Sequence, residues 1–420
     1  MSTQPSNGAI ATPLPRVKPP FLRRVRIRNY KSIAFCDVTL EPLTIFVGRN
    51  ASGKSNFLDA LAFLRDVLVG GVHYAVKAHG GREAIFCKGT DGETITLAVD
   101  VGSEQHGIFE AWSATFEMEM TVGKKKGVAI AREHLLIEFE GSRTRTAYQV
   151  DDGVLTWLSK RPPLQIGTPT ISKDRLFLPS SSDFLLHDSI ESTQIYNFVP
   201  DAIRALATPS PGGYLERDGS NIASALETTH EIDDEAIDRI SRYLASITGA
   251  EFLRVVHYGD YETVRFRVPR GNAGFLEFDA ASMSDGTLRV FAALVAAFQI
   301  ALPCGIPGFV AIEEPETSLH PAAMRSLVDA LDEATGRTQI LLTTHSAEIL
   351  DNPTIRPENV RVVEMIDGRT RIGLVDAGCV EIVRQKLDTL GGLERQNQLE
   401  PDAEDLERQD RLARGTPGAA

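Results

Sequence analysis

Cysteine is scarce in this chain and widely scattered. Cys36, Cys87, Cys304 and Cys379 form no C-x-x-C pair and have no partner histidine at ligand spacing. Neither a disulfide framework nor a zinc site is expected, and a reducing cytoplasm fits. Long apolar runs are missing as well. The first residues carry Gln, Ser, Asn and Pro where a signal peptide would be continuously apolar, and the stretch from Val290 to Leu302 is interrupted by Gln299 and is too short to span a bilayer. No membrane association is expected. Nor is there an excess of positive charge: 44 Lys and Arg against 57 Asp and Glu leave a net charge of −13, which excludes an overall basic coat for nucleic acid. Local basic runs remain, at Arg16, Lys18, Arg23, Arg24, Arg26, Arg28 and Lys31 and at Lys124 to Lys126. They read either as a solvated strand edge and hairpin tip or as a phosphate-contacting surface. Sustained heptads are lacking, so no long coiled-coil arm is expected.

Against these absences stands one strong motif, Gly48-Arg49-Asn50-Ala51-Ser52-Gly53-Lys54-Ser55, followed by Asn56. The apolar run Leu43 to Val47 before it suits a buried parallel strand. After it, Phe57, Leu58, Leu61, Leu64, Val67 and Leu68 recur at helical spacing. Gly48 and Gly53 let the backbone curl so that N–H groups from about Asn50 to Ser55 point at phosphate oxygens. Lys54 is placed to reach the β and γ phosphates, and the Ser55 hydroxyl to ligate Mg²⁺. A nucleoside triphosphate is the expected ligand; the plain alternative is a glycine turn.

At 420 residues the chain has room for a large core with an insertion. Residues 1–20 read as a disordered leader, 21–182 as a lobe with the phosphate loop and an antiparallel β subdomain, 183–250 as a helical insertion, 251–400 as the second half of the nucleotide lobe, and 401–420 as a disordered tail. Turn signals at Gly123, Gly127, Gly141 and Asp151-Asp152-Gly153 divide the β-rich segments between Ile95 and Leu158. In the helical stretch the repeat is clearest at Ala236, Ile237, Ile240, Leu244 and Ile247, with Asp233 or Asp234 as cap. Strand and helix then alternate from Phe309 to Leu350, the pattern of a parallel sheet covered by helices, so the class is α/β.

Further chemistry sits at strand ends. Phe309 to Ile312 runs into Glu313-Glu314-Pro315-Glu316, at the carboxyl end of a strand where α/β sheets bind ligands. Glu313 is the candidate Mg²⁺ holder and Glu314 the candidate for orienting or deprotonating the attacking water. Glu316 either supports the site or complements a helix dipole. Leu341 to Thr344 ends in His345, whose imidazole could donate to the γ phosphate, and Ser284-Asp285-Gly286-Thr287 offers a hydroxyl and N–H groups at a helix start, where an ordinary cap is the simple alternative. His320-Pro321 most simply starts a helix.

In this order the loop, the Ser-Asp-Gly-Thr turn, the Glu-Glu-Pro-Glu strand end and the Thr-His-Ser strand end resemble ABC-type ATPase heads, specifically the RecF, SMC and OLD-like group of AAA-family ATPases. Arg26 to Ser32 resembles the group's first strand, and Leu390-Gly391-Gly392-Leu393 with Gln398 to Pro401 resembles its C-terminal segment. The resemblance implies a P-loop NTPase fold and a Mg²⁺-dependent ATPase. It also implies a head-to-tail homodimer in which Ser284 and Gly286 of one copy cap the ATP held by the other. Expected partners are DNA or a separately encoded effector such as a nuclease or toxin subunit, as in DNA repair or phage defence. Two departures stand out: Glu313 replaces the usual Asp, and Asp285 replaces a signature glycine and adds negative charge. The competing readings are a membrane-transporter ATPase subunit and a small-molecule kinase. No Asp-x-Asp cluster of a fused nuclease follows the head.

Overall fold

The computed structural model describes residues 21–89, 93–104, 111–123, 127–141, 145–159, 171–178, 184–210, 213–271, 274–299 and 309–415. The expected leader, Arg16, Lys18, Lys124 to Lys126 and the last five residues lie outside them. Strands β1 (Phe21–Tyr30), β2 (Ile33–Thr39) and β3 (Leu43–Val47) lead into helices α1 (Lys54–Gly70), α2 (Val72–Ala78) and α3 (Arg82–Ile85). Then follow β4 (Thr94–Ser103), β5 (Trp112–Gly123), β6 (Gly127–Phe139), β7 (Arg145–Asp151) and β8 (Val154–Trp157). Burial alternates most regularly along β5, and with β1 and β2 these strands form an antiparallel sheet of order β2-β1-β4-β5-β6-β7-β8.

The middle of the chain holds α4 (Phe184–Glu191), β9 (Gln194–Tyr196), α5 (Pro200–Arg204), α6 (Ile222–Ile232) and α7 (Asp234–Thr248), then β10 (Glu251–Tyr258), β11 (Tyr261–Pro269), β12 (Phe275–Asp279) and α8 (Asp285–Phe298). Strands β10, β11 and β12 form a small antiparallel sheet. The remainder is β13 (Phe309–Glu313), α9 (Pro321–Ala334), β14 (Gln339–Thr344), α10 (Ala347–Leu350), β15 (Val360–Ile366), β16 (Arg369–Gly373), α11 (Ala377–Arg384), α12 (Leu390–Arg395) and α13 (Ala403–Arg414). Five parallel strands and antiparallel β16 make the central sheet, ordered β16-β15-β3-β14-β13-β9. The class is mixed α/β, a P-loop NTPase architecture.

Strand periodicity places this sheet between two cores. Phe46, Ala311 and Leu341 point to a cluster with α1, α2 and the antiparallel sheet, whereas Ile45, Val47, Ile312 and Leu342 point to one built with α6 to α9. Helix α8 is buried on nearly every side, which is why its sequence reads as apolar all round.

Two segments differ from the sequence expectation. The stretch 183–250 is not a separate helical insertion, because it contains β9, the edge strand pairing in parallel with β13, and α7 packs on α8 and α9. A three-residue strand between helices carries too little periodicity to register. The expected disordered tail contains α13, capped by Asp402, whose side chain accepts from Asp405 N. Arg408 meets Asp37 at 2.7 Å, and Gln409 is buried, donating to Ile372 O and accepting from Asp37 N. Polar anchors rather than an apolar stripe hold this helix, so its composition resembles that of a solvated end. The cap of α7 is Asp233, accepting from Glu235 N and Ala236 N.

Candidate nucleotide site

The phosphate loop bridges the end of β3 and the start of α1, and its glycines are demanded by close approach. A Cβ on Gly48 would lie 2.1 Å from Val363 O of β15, and one on Gly53, at φ +104°, 1.9 Å from Thr370 Oγ1 of β16. A chain of hydrogen bonds holds the loop from behind: Asn56 Nδ2 donates to Ser32 Oγ, Ser32 pairs with Thr370 Oγ1, and Thr370 donates to Ser52 O. Ser32 and Thr370 went unnoticed as site residues because the contacts span 338 positions of sequence.

Lys54 is buried and folds back on its own loop, donating to Gly48 O at 2.6 Å and Arg49 O at 3.1 Å. Burial pulls its pKa down, against the opposing pull of Glu314, Glu316, Glu394 and Glu313. Glu394 belongs to α12. It enters this neighbourhood because Gly391 lets α12 press on α10, where a Cβ would meet Ala347 O at 2.2 Å. That gives the Leu-Gly-Gly-Leu segment a physical role which sequence alone left as a resemblance.

The three strand ends are adjacent because β14 lies between β3 and β13, with Thr344 opposite Val47 and Thr343 opposite Glu313. Ser55 Oγ donates to Glu313 Oε2 at 2.5 Å, and Arg217 Nη2 lies 3.4 Å from Glu313 Oε1. Arg217, from the segment between α5 and α6, is another residue that sequence reasoning missed. Glu314 sits at φ +44°, a left-handed conformation costly for a non-glycine residue, and is held by its N–H donating to Thr343 O. Its Oε1 lies 3.4 Å from His345 Nδ1. Glu316 is buried, accepts from Thr344 Oγ1, and has its pKa raised by burial. The structure therefore brings together Lys54, Ser55, Glu313, Glu314 and His345.

Ser284 and Gly286 sit at the start of α8. Ser284 caps α8, its Oγ accepting from Thr287 N, and a Cβ on Gly286 would meet Ser318 O at 2.5 Å. No hydrogen bond or ion pair among the described residues links either to the phosphate loop. The extra charge expected at Asp285 is offset by an ion pair with Arg204. Charge in the basic stretch is likewise engaged internally: Arg24 pairs with Asp37, Arg26 with Asp100 and Lys31 with Asp59, while Arg28 donates to Ala413 O. As a phosphate-contacting surface the stretch is thereby largely neutralised.

Family models match the chain in two places. Residues 21–126 match an "AAA ATPase domain", and residues 175–351 match a family described as "AAA domain, putative AbiEii toxin, Type IV TA system". Both stretches are thus AAA-type ATPase domain sequence. Its fold is that of an SMC head: an SMC head bound to the C-terminal winged-helix domain of ScpA aligns at TM-score 0.52 and 15% identity, covering 84% of this chain and 97% of that one. An SMC head with an extended coiled coil from Pyrococcus furiosus, bound to the C-terminal domain of ScpA, covers 88% of this chain and 99% of its own at 14% identity and TM-score 0.49. No curated protein sequence matches the chain. The ATPase domain has no helix among its described residues long and apolar enough to cross a membrane.

Proposed function

We propose that this ATP-binding domain hydrolyses ATP with Mg²⁺ between two copies arranged head to tail, and that the resulting switch controls DNA engagement or a partner effector. The observation that carries the reading is the meeting of Ser55 with Glu313 beside Glu314 and His345 at three adjoining strand ends. A hydroxyl and a carboxylate converging at 2.5 Å are an oxygen donor set suited to Mg²⁺, so Ser55 and Glu313 would hold it. Bound there, the ion would supply positive charge to neutralise what develops on the phosphate oxygens.

The remaining roles fall to this chain's own groups. The N–H groups of Asn50 to Ser55 cradle the phosphates with Gly48, Arg49 and Asn56 shaping the loop, and Lys54 turns from its loop carbonyls to the phosphate oxygens. Glu314 positions and deprotonates water, and the His345 imidazole donates to the γ phosphate. Ser284 and Gly286 would cap the triphosphate of the second copy. The AbiEii description of one matching family and the ScpA-bound state of the similar heads support an effector role over an isolated enzyme.

Phosphate release and size measurements test this. Lys54→Ala is expected to abolish ATP binding, and Glu314→Gln to retain ATP, lose hydrolysis and accumulate as a dimer with Mg-ATP. A wild-type protein releasing no phosphate would remove the ATPase reading. A Glu314→Gln protein that stays monomeric at saturating ATP would remove the trans arrangement.

A further inference from the structure

A second chemical cluster lies outside the nucleotide site, where α6 faces the β10–β11 hairpin. His257 and Glu262 are partners across the hairpin ladder, and Glu227 reaches them from α6, its Oε1 2.9 Å from His257 Nε2. One ligand atom from each of the three residues lies within 4.8 Å of the others. Glu262 is fully buried at 0% exposure, and its strand is pinned by paired backbone bonds to Ala207. Ser224 Oγ donates to Oε1, while Oε2, also buried, has no hydrogen-bond partner among the described residues. No lysine or arginine among them forms an ion pair with Glu262.

An uncompensated carboxylate in such a place costs several kcal/mol, and buried acids are retained where a cation, a proton or a hydrogen-bond network meets them. Beyond the Ser224 hydroxyl on Oε1, the polar company is a second carboxylate and an imidazole, which together make a cation site rather than a partner for an anion. We propose that Glu227, His257 and Glu262 bind a first-row divalent cation of the zinc type. One nitrogen and two carboxylate oxygens suit a borderline ion, whereas Mg²⁺ and Ca²⁺ favour oxygen-only sets. Bonds of about 2.0–2.1 Å in a tetrahedron put ligand atoms ~3.3 Å apart. The Glu227–His257 separation of 2.9 Å is close to that value, and with all three atoms inside 4.8 Å small side-chain rotations complete the site. Glu227 and His257 are half exposed, which supplies the route of entry and room for water as a fourth ligand. Sequence reading excluded zinc from the cysteines alone. A glutamate on a helix and a His–Glu pair across a hairpin have no linear motif.

The ion would fasten α6 to the small sheet. Strand β11 packs on the 3-10 turn Ala280–Ser282 just ahead of Ser284, so the clamp stiffens the lobe that presents this serine. Its binding does not depend on nucleotide.

The test uses the full chain, stripped with chelator and free of nucleotide, titrated with Zn²⁺ alone while bound metal and thermal unfolding are followed. One Zn²⁺ per chain and a raised Tm are expected, both kept in Ser55→Ala, which removes a ligand of the nucleotide metal. Glu227→Gln and His257→Ala, at half-exposed positions that tolerate change, are expected to weaken Zn²⁺ binding about tenfold or more. Glu262→Gln should unfold at a temperature independent of Zn²⁺. Wild-type affinity in Glu227→Gln and His257→Ala, no Zn²⁺ uptake by wild type, or displacement of Zn²⁺ by equimolar Mg²⁺ would each overturn the assignment.

Discussion

Thr370 shows how a residue with no chemistry of its own can govern the site. Its hydroxyl links Ser32 to the carbonyl of Ser52 within the phosphate loop. Thr370→Val keeps the shape and removes the donor. The loss is about 1 kcal/mol for a hydrogen bond of this kind, so ATP affinity should fall about fivefold with little change in kcat, as read by titration calorimetry and steady-state kinetics. Arg217 makes the opposite case. On the proposed reading, a metal that takes the Glu313 carboxylate would release Arg217 toward the transferring phosphate. Arg217→Ala should therefore lower kcat by about tenfold while ATP binding changes little, a split that a merely structural residue would not produce.

Among elements, α1 is fixed by more than its apolar face. Its Asp59 and Asp66 grip His79, just past α2, at 2.9 and 3.0 Å, and Tyr30 adds its hydroxyl to Asp59. Burial alone would lower the His79 pKa, but the hydrogen bonds and charges of the two aspartates outweigh it and hold the value above that of free histidine. A raised folded pKa means that the contribution to stability is complete below about pH 6.5, the unfolded value, and is lost as pH climbs through the folded value. Tm should accordingly drop between pH 6 and the alkaline side of neutrality, and His79→Gln should flatten that dependence while costing about 1–3 kcal/mol at pH 6. Helix α13 offers a second prediction at this scale. Asp37, fully buried, is met from both sides by Arg24 and Arg408. Burial would raise its carboxyl, yet the two arginines hold it below the usual range. Arg24 is partly exposed and Arg408 still meets Asp37, so Arg24→Glu should cost less than the ~3–5 kcal/mol of a fully buried pair yet appear as lost stability in denaturant unfolding, where a DNA-contact role would predict weakened binding at unchanged stability.

For the whole molecule the decisive question is whether two copies share one site. Lys54→Ala and Ser284→Arg chains are each expected to be inactive, the first for want of phosphate binding and the second because a bulky cation obstructs the capping turn. Mixed in equal amounts, hybrids form half of the dimers and each hybrid keeps one intact site, so about a quarter of wild-type sites should recover. Hydrolysis that stays absent in the mixture would count against capping in trans.

What the sequence determined by itself was everything encoded within one element or at its end. The phosphate loop, the acids after Phe309 to Ile312 and the histidine after Leu341 to Thr344 were legible because apolar runs and their polar tips are local signals. The antiparallel β segments were legible from turn residues, and the α/β class from alternation. Tertiary structure alone decided what depends on long-range register. It placed β9 in the central sheet, lodged the polar helix α13 on β2 and β16, set Thr370 and Glu394 around Lys54, turned the Arg24 and Arg26 charges inward, and joined Glu227 to His257 and Glu262. These are contacts between side chains tens to hundreds of positions apart, and no periodicity encodes them because the fold, not the neighbouring residue, supplies the partner.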